Sequence, residues 1–210
     1  MHEILIATGN PGKYREIIAV LSADGPDGPL ARWVSLAELD AAIAEPHEDG
    51  DTFAANAALK ARYYSKSSGR WTLADDSGLE VDALGGEPGV LSARYAGTSP
   101  GSPRDEADQA NNRKLIAALV GIPDERRTAR FRCALALADG DRILATAEGT
   151  IEGRIIDIPR GRGGFGYDPH FFIPDLGKTT AELSAAEKNR ISHRGRALRE
   201  MRMKLNAVLE

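Results

Sequence analysis

Near its amino terminus the chain runs from a short apolar stretch, Ile4–Ala7, into Thr8-Gly9-Asn10-Pro11-Gly12-Lys13. Apolar residues at helical spacing follow at Ile17, Ile18 and Leu21. A strand, a tight turn and a helix in immediate succession build an anion site. Turn amides and the first N–H groups of the helix converge on one spot, and the helix dipole favours negative charge there. Lys13 adds a full positive charge. The turn is not a Walker loop, since two residues rather than four separate the glycines and Tyr14 follows the lysine. Spacing alone leaves open a plain tight turn with an exposed lysine.

Further elements alternate along the chain. Trp33 and Val34 predict a short strand, and residues 44–51 an acidic loop. Thr52 can cap a helix from Phe53 to about Ser65 that places Phe53, Ala57 and Ala61 on one face. Trp71–Ala74 predicts a buried strand that ends at Asp75-Asp76-Ser77-Gly78, and Leu79–Leu84 a second, half-buried one. Residues 85–104 are rich in Gly and Pro and read as irregular, and a helix is expected over Asp105–Val120. Arg130–Leu137 and Ile143–Gly149 form a hairpin around Asp139-Gly140. Another strand is expected over 151–158, then a Gly-rich loop over 159–170 and a helical C-terminus. Residues 24–30, DGPDGPL, close the first helix as a loop. Interleaved strands and helices with an antiparallel hairpin predict an α/β fold on a mixed sheet, not a doubly wound parallel one.

At 210 residues the chain makes one domain, or one domain with two lobes. Its formal net charge of −4 weighs against a dedicated nucleic-acid binder, while leaving room for a nucleotide held by a local basic cluster. The lone Cys133, within FRCALALA, has no partner for an internal disulfide and reads as a core residue. No apolar run suits a signal peptide or a membrane span, so a cytoplasmic protein is expected.

Several clusters carry possible chemistry, each with a plainer alternative. Asp75-Asp76-Ser77 at a strand end places one aspartate towards a ligand, because adjacent strand residues face opposite ways. A carboxylate there, with a second from Glu48, Asp49 or Asp51, suits Mg²⁺, which takes one or two carboxylates and completes its shell with phosphate and water. The alternative is a capped turn of solvated acids. Asn56 and Lys60 share a helix face, where Lys60 can reach a phosphate or lie in solvent. Gly161 to Gly166 satisfies GxGxxG, but Pro159 precedes it and no helix follows, so a dinucleotide fingerprint is rejected. The loop can instead offer Phe165, Tyr167 and Asp168 to a planar base, or bury its aromatics in the core. Ser184-Ala185-Ala186-Glu187 is a capping box opening a short helix that carries Lys188. Ser192 can cap the last helix, putting His193 and Arg194 in a first turn where the dipole disfavours cations.

Taken together, TGNPGKYREI, EDGDTFAANAALKA, LADDSGLEVDALGGEPGVLSARYAG, GRGGFGYDPHFF and AELSAAEKNRISHRGRAL closely resemble the inosine triphosphate pyrophosphatase family, the bacterial dITP/XTP pyrophosphatases. The likeness runs from residue 4 to about residue 200, and five motifs in order are far more specific than any one. The resemblance implies an elongated mixed sheet flanked by helices, with two lobes around a central substrate cleft. It implies a Mg²⁺-dependent homodimer that hydrolyses dITP, ITP or XTP to the monophosphate and pyrophosphate and so cleanses the nucleotide pool, with no nucleic-acid or membrane partner. By the same resemblance Thr8, Gly9, Asn10, Pro11, Gly12 and Lys13 cradle phosphate, and Ser77 touches the substrate. Glu48 and Asp76 hold the metal, Asp76 also serving as proton acceptor. Phe165, Gly166, Tyr167, Asp168, Lys188, His193 and Arg194 bind the nucleoside, mainly its base. Arg194, a donor only, suits the 6-keto group of hypoxanthine or xanthine and leaves the 6-amino group of adenine unmatched. Two other readings of the chain are a nucleotide sensor without hydrolysis and a pyrophosphatase for other modified nucleotides. A pure binder has no need of a metal-facing carboxylate beside the phosphates.

Overall fold

The structure, a computed structural model, describes residues 2–22, 31–98 and 102–209, so the loop expected over 24–30 lies outside the described residues. In chain order the elements are β1 (Glu3–Ala7), α1 (Pro11–Leu21), β2 (Arg32–Ser35), α2 (Phe53–Ser68), β3 (Trp71–Val81) and α3 (Arg104–Ala118). Then come β4 (Thr128–Asp139), β5 (Arg142–Ile155), β6 (Phe171–Ile173), β7 (Lys178–Thr179), α4 (Ala185–Ile191) and α5 (His193–Leu209), with short 3₁₀ turns between. The strands lie in the order β2-β1-β3-β4-β5-β6-β7. β1 is parallel to both β2 and β3, with Ile4 opposite Trp33 on one side and Trp71 on the other. β5, β6 and β7 are antiparallel. The sheet is mixed, as the sequence predicts.

Two expected breaks are absent. Asp75-Asp76-Ser77-Gly78 does not end a strand, because β3 runs unbroken through it. Gly78 is there for close approach: a Cβ on it would lie 2.3 Å from Ser92 Oγ and 2.7 Å from Gly89 O. Nor does a second strand start at residue 151, since β5 continues through Gly149 to Ile155. A Cβ on Gly149 would meet His193 O at 2.1 Å and Ala197 N at 2.7 Å, so this glycine lets the first turn of α5 lie against the strand. In both cases the glycine that signals a turn in sequence serves packing in space. β6 and β7, three and two residues long, are too short to leave a periodic signal.

The chain divides into two compact units. The first comprises residues 1–76, 133–149 and 193–210, the second 77–132 and 150–192. In the first, Ile4, Ile6 and Leu73 of the strands pack with Ile17 and Leu21 of α1 and Leu198, Met201 and Leu205 of α5. Cys133 belongs to this core, as expected. Each such aliphatic side chain contributes about 1.5–3 kcal/mol on burial. α2 packs against β1, ends at a left-handed Gly69 and starts under its expected Thr52 cap, which accepts from Ala55 N. In the second unit, Leu79 and Val81 of β3 gather with Leu115 and Leu119 of α3, Ile151 and Ile155 of β5, and a pair of rings, Phe131 and Phe171, 4.4 Å apart. No helix among the described residues is long and apolar enough to cross a membrane.

Candidate active site

The turn after β1 is built differently from the amide cradle that its sequence suggests. Asn10 caps α1, and its Oδ1 accepts from Gly12 N at 2.8 Å and Lys13 N at 3.3 Å. Asn10 N donates to Thr8 Oγ1, Thr8 N donates to Ile6 O, and Pro11 has no N–H. The cap thus consumes amides that the sequence reading leaves for an anion. What the turn keeps for a ligand is the Gly9 N–H and the Asn10 side-chain amide, whose buried Nδ2 has no partner among the described residues. Both are donors, and both suit a phosphate oxygen.

At the end of β3 within the first unit, Asp75 and Asp76 face opposite ways and meet unlike surroundings. Asp75 is flanked by two cations: Lys13 Nζ lies 2.5 Å from its Oδ1 and Arg194 Nε 3.0 Å from its Oδ2. Arg194 is only 1% exposed and also pairs with Glu16 of α1. Burial pushes the Asp75 carboxyl up, but Arg194 and Lys13 outweigh it and hold the group well below the ordinary carboxylate range. The Cys133 thiol donates to Asp75 Oδ2 at 3.4 Å, and burial followed by the Asp75 charge pushes the thiol up. It is a core thiol, not a nucleophile.

Asp76 has one close cation, which it shares. Lys60 Nζ of α2 lies 2.8 Å from Asp76 Oδ1 and 2.7 Å from Glu48 Oε1. Burial lowers the Lys60 ammonium, but Asp76, Glu48 and Asp75 together raise it above the ordinary lysine value. Asp76 is pushed up, by burial first and also by the Glu48 charge, against the pull of Lys60 and Lys13. The buried Oδ2 of Asp76 has no hydrogen-bond partner among the described residues. Lys60 is therefore buried at the centre of this cluster, not solvated.

The loop before α2 settles which of its three acids joins Asp76. Glu48 is half-buried on Lys60, whereas Asp49 and Asp51 are exposed. Asn56, one helical turn before Lys60, holds Gly50 by both backbone groups: Gly50 N donates to its Oδ1 at 2.9 Å, and its Nδ2 donates to Gly50 O at 3.2 Å. A side chain on Gly50 would strike Asn56 Oδ1 at 2.6 Å. That clamp fixes the segment carrying Glu48, and sequence alone shows only that Asn56 and Lys60 share a face. Among the described residues no three His, Cys, Asp or Glu side chains form a metal cage. Mg²⁺ needs no such cage, because one or two carboxylates suffice when phosphate and water complete the shell. Glu48 and Asp76, with a spare buried oxygen on Asp76, fit that requirement.

In the second unit the Gly-rich loop is held from within. Asp168 is buried, and its Oδ2 accepts from Phe165 N at 2.8 Å and lies 2.5 Å from Lys188 Nζ, while its Oδ1 accepts from Thr180 Oγ1 at 2.7 Å. Lys188 Nζ also lies 4.7 Å from the centre of the Phe165 ring. The Ser184–Glu187 capping box forms as expected and starts the helix that supplies Lys188. Tyr167 corrects the stacking expectation: its ring is buried in the core and its hydroxyl donates to Ser92 O at 2.8 Å. A base can meet this residue only through its backbone. Ser77 is half-buried in β3, and His193 is buried in the first turn of α5 beside Arg194.

The Ham1 family model matches residues 4–204. The chain belongs to the Ham1 family. It is 50% identical to a dITP/XTP pyrophosphatase of Geobacillus kaustophilus, over 96% of this chain and 93% of that protein. It is 47% identical to one of Bacillus subtilis, over 99% and 98%. Among solved structures, a HAM1 protein from Coxiella burnetii superposes with a TM-score of 0.83 at 37% identity, covering 99% of this chain and all of that one. A Ham1 protein of Staphylococcus aureus does so with a TM-score of 0.80 at 38% identity, covering 98% of each chain. The mixed seven-stranded sheet of this chain is thus the Ham1 fold, and the asymmetry of Asp75 and Asp76 lies within a Ham1 protein.

Proposed function

We propose that this chain is a nucleoside triphosphate pyrophosphohydrolase that converts dITP, ITP or XTP to the monophosphate and pyrophosphate and so removes deaminated purines from the nucleotide pool. The observation that carries the reading is Asp76: a buried carboxylate with an oxygen unused among the described residues, joined through Lys60 to Glu48, with a capped, donor-bearing turn in the same unit. The names of the relatives supply the substrate class.

Water attacks the α-phosphorus, a new P–O bond forms, and the bond from that phosphorus to the oxygen bridging to the β-phosphate breaks, releasing pyrophosphate. Lys13, Lys60, Asn10 Nδ2 and the Gly9 amide bind and orient phosphate oxygens. Such positioning accounts for most of phosphoryl-transfer catalysis. Glu48 and Asp76 would hold Mg²⁺, which when bound neutralises charge on the triphosphate. Asp76 Oδ2 orients the attacking water and receives the proton that it releases. By family resemblance Phe165, the Gly166 and Tyr167 backbone, Asp168, Lys188, His193 and Arg194 serve the base. The same reading makes the protein a cytoplasmic homodimer, which light scattering on the purified chain checks.

The test is a panel of ITP, dITP, XTP, ATP and GTP with Mg²⁺ in ¹⁸O-water. Pyrophosphate release with the label in the monophosphate is expected, with ATP turned over far more slowly than ITP. Orthophosphate release, label in pyrophosphate, or equal use of ATP contradicts it.

A further inference from the structure

The chemistry above leaves α3 unused, yet α3 grips the base loop. Asp108 and Asn112 are four apart and share a helix face. Gly166 N donates to Asp108 Oδ2 at 2.8 Å, and Asn112 Nδ2 donates to Gly166 O at 2.9 Å. Both backbone groups of this one residue are thus held by two side chains of one helix. Gly166 sits at φ +61°, a left-handed conformation that glycine adopts without strain, so the loop turns where α3 holds it. Asn111 reinforces the grip: its Oδ1 accepts from Ala96 N at 2.7 Å, and its Nδ2 donates to Ser92 O at 3.3 Å, the carbonyl that also receives the Tyr167 hydroxyl. Burial pushes the Asp108 carboxyl up, while the Gly166 N–H and Arg104 pull it back. A partly desolvated acid held on a backbone amide is costly unless the loop position is worth keeping.

We infer that Asp108 and Asn112 are positioning residues for base recognition: by clamping Gly166 they set the orientation of Phe165 and of the Gly166–Tyr167 backbone, and so the selectivity for the purine. The inference rests on the proposed activity and extends it to two residues that touch no substrate. The arrangement mirrors the Asn56 clamp on Gly50, where a helical side chain also takes both backbone groups of a glycine beside a site residue.

The experiment compares wild type, Asp108→Ala, Asp108→Asn and Asn112→Ala in steady-state hydrolysis of ITP and ATP with Mg²⁺. It also measures amide hydrogen exchange across residues 163–168 without nucleotide. The two alanine variants are expected to raise KM for ITP about tenfold, more than they lower kcat, as the loss of one hydrogen bond to a charged or amide partner implies. They narrow the ITP-to-ATP ratio of kcat/KM and speed exchange at Gly166. Asp108→Asn, which keeps a carbonyl acceptor, restores most of the KM and the exchange protection. Unchanged KM, ratio and exchange in the alanine variants overturn the inference, as does a loss in kcat alone. If Asp108→Ala does not fold, Asn112→Ala carries the same comparison. If wild type releases no pyrophosphate from ITP, the functional reading fails by itself, and exchange at Gly166 still decides whether α3 holds the loop.

Discussion

Asp75 and Asp76 are neighbours on one strand, and the two sides of β3 give them different work. On the α1 and α5 side, Asp75 pairs with Lys13 and Arg194, and Arg194 with Glu16, in a network whose centre, Asp75 and Arg194, is buried. On the α2 side, Asp76 and Glu48 share Lys60, and an oxygen of Asp76 is left over. A buried network of paired charges serves stability and position, because removing any member strands a charge. A buried carboxylate oxygen without a partner leaves room for a cationic ligand. Two identical neighbours thus meet different surroundings through the helices each faces.

The largest effect expected from this contrast is kinetic. Asp76→Asn should lower pyrophosphate release from ITP by about 10²-fold or more, the scale seen when one electrostatic group is removed from a catalytic site, with little change in melting temperature. Asp75→Asn should show the reverse emphasis, since half of the charge on Lys13 and Arg194 loses its partner. Breaking a buried pair costs about 3–5 kcal/mol, which thermal or urea unfolding reads directly. Equal loss of stability in the two variants would erase the distinction.

Arg194→Ala probes the Asp75 side from its other end. It is expected to destabilise on the same scale, about 3–5 kcal/mol, and to narrow the preference for ITP over ATP. A lowered melting temperature with an unchanged preference would confine Arg194 to the network with Asp75 and Glu16. On the α2 side, Asn56→Ala frees Gly50 and slackens the segment that carries Glu48. About 1–3 kcal/mol of stability should go with the two hydrogen bonds, and the Mg²⁺ concentration giving half-maximal activity should rise. An unchanged Mg²⁺ requirement would remove Glu48 from the metal's shell.

Much of this was legible in the chain. The apolar run into TGNPGK, the Thr52 cap, the Ser184–Glu187 box and the Asp139-Gly140 hairpin are local, and local chemistry decides them. What stayed hidden depends on contacts far apart in sequence. Gly78 and Gly149 read as breaks, but their missing side chains make room for Ser92 and for the start of α5. Asn10 looked like part of an open amide cradle, yet it spends its oxygen capping α1. Lys60 looked like a surface lysine because nothing nearby in sequence announces that Glu48 and Asp76 converge on it. Asp76 itself was singled out from its place on the strand and from family resemblance. The partnerless oxygen that it carries among the described residues emerges only from the assembled fold.

Acid sensitivity is the smallest effect and separates the same two residues. The depressed Asp75 carboxyl contributes stability above the ordinary aspartate value, about pH 4, and loses it as pH falls further. Asp75→Asn should therefore flatten the acid limb of the stability curve. The raised Asp76 has the opposite sign: its ionisation opposes folding, so Asp76→Asn should gain or hold stability at neutral pH.

The most direct measurement is the titration of the two side-chain carboxyls by ¹³C NMR in the protein free of nucleotide and metal. Asp75 is expected to stay ionised below the ordinary aspartate range, while Asp76 takes up its proton above it. Two carboxyls titrating together, or in the reverse order, would contradict the division of labour across β3.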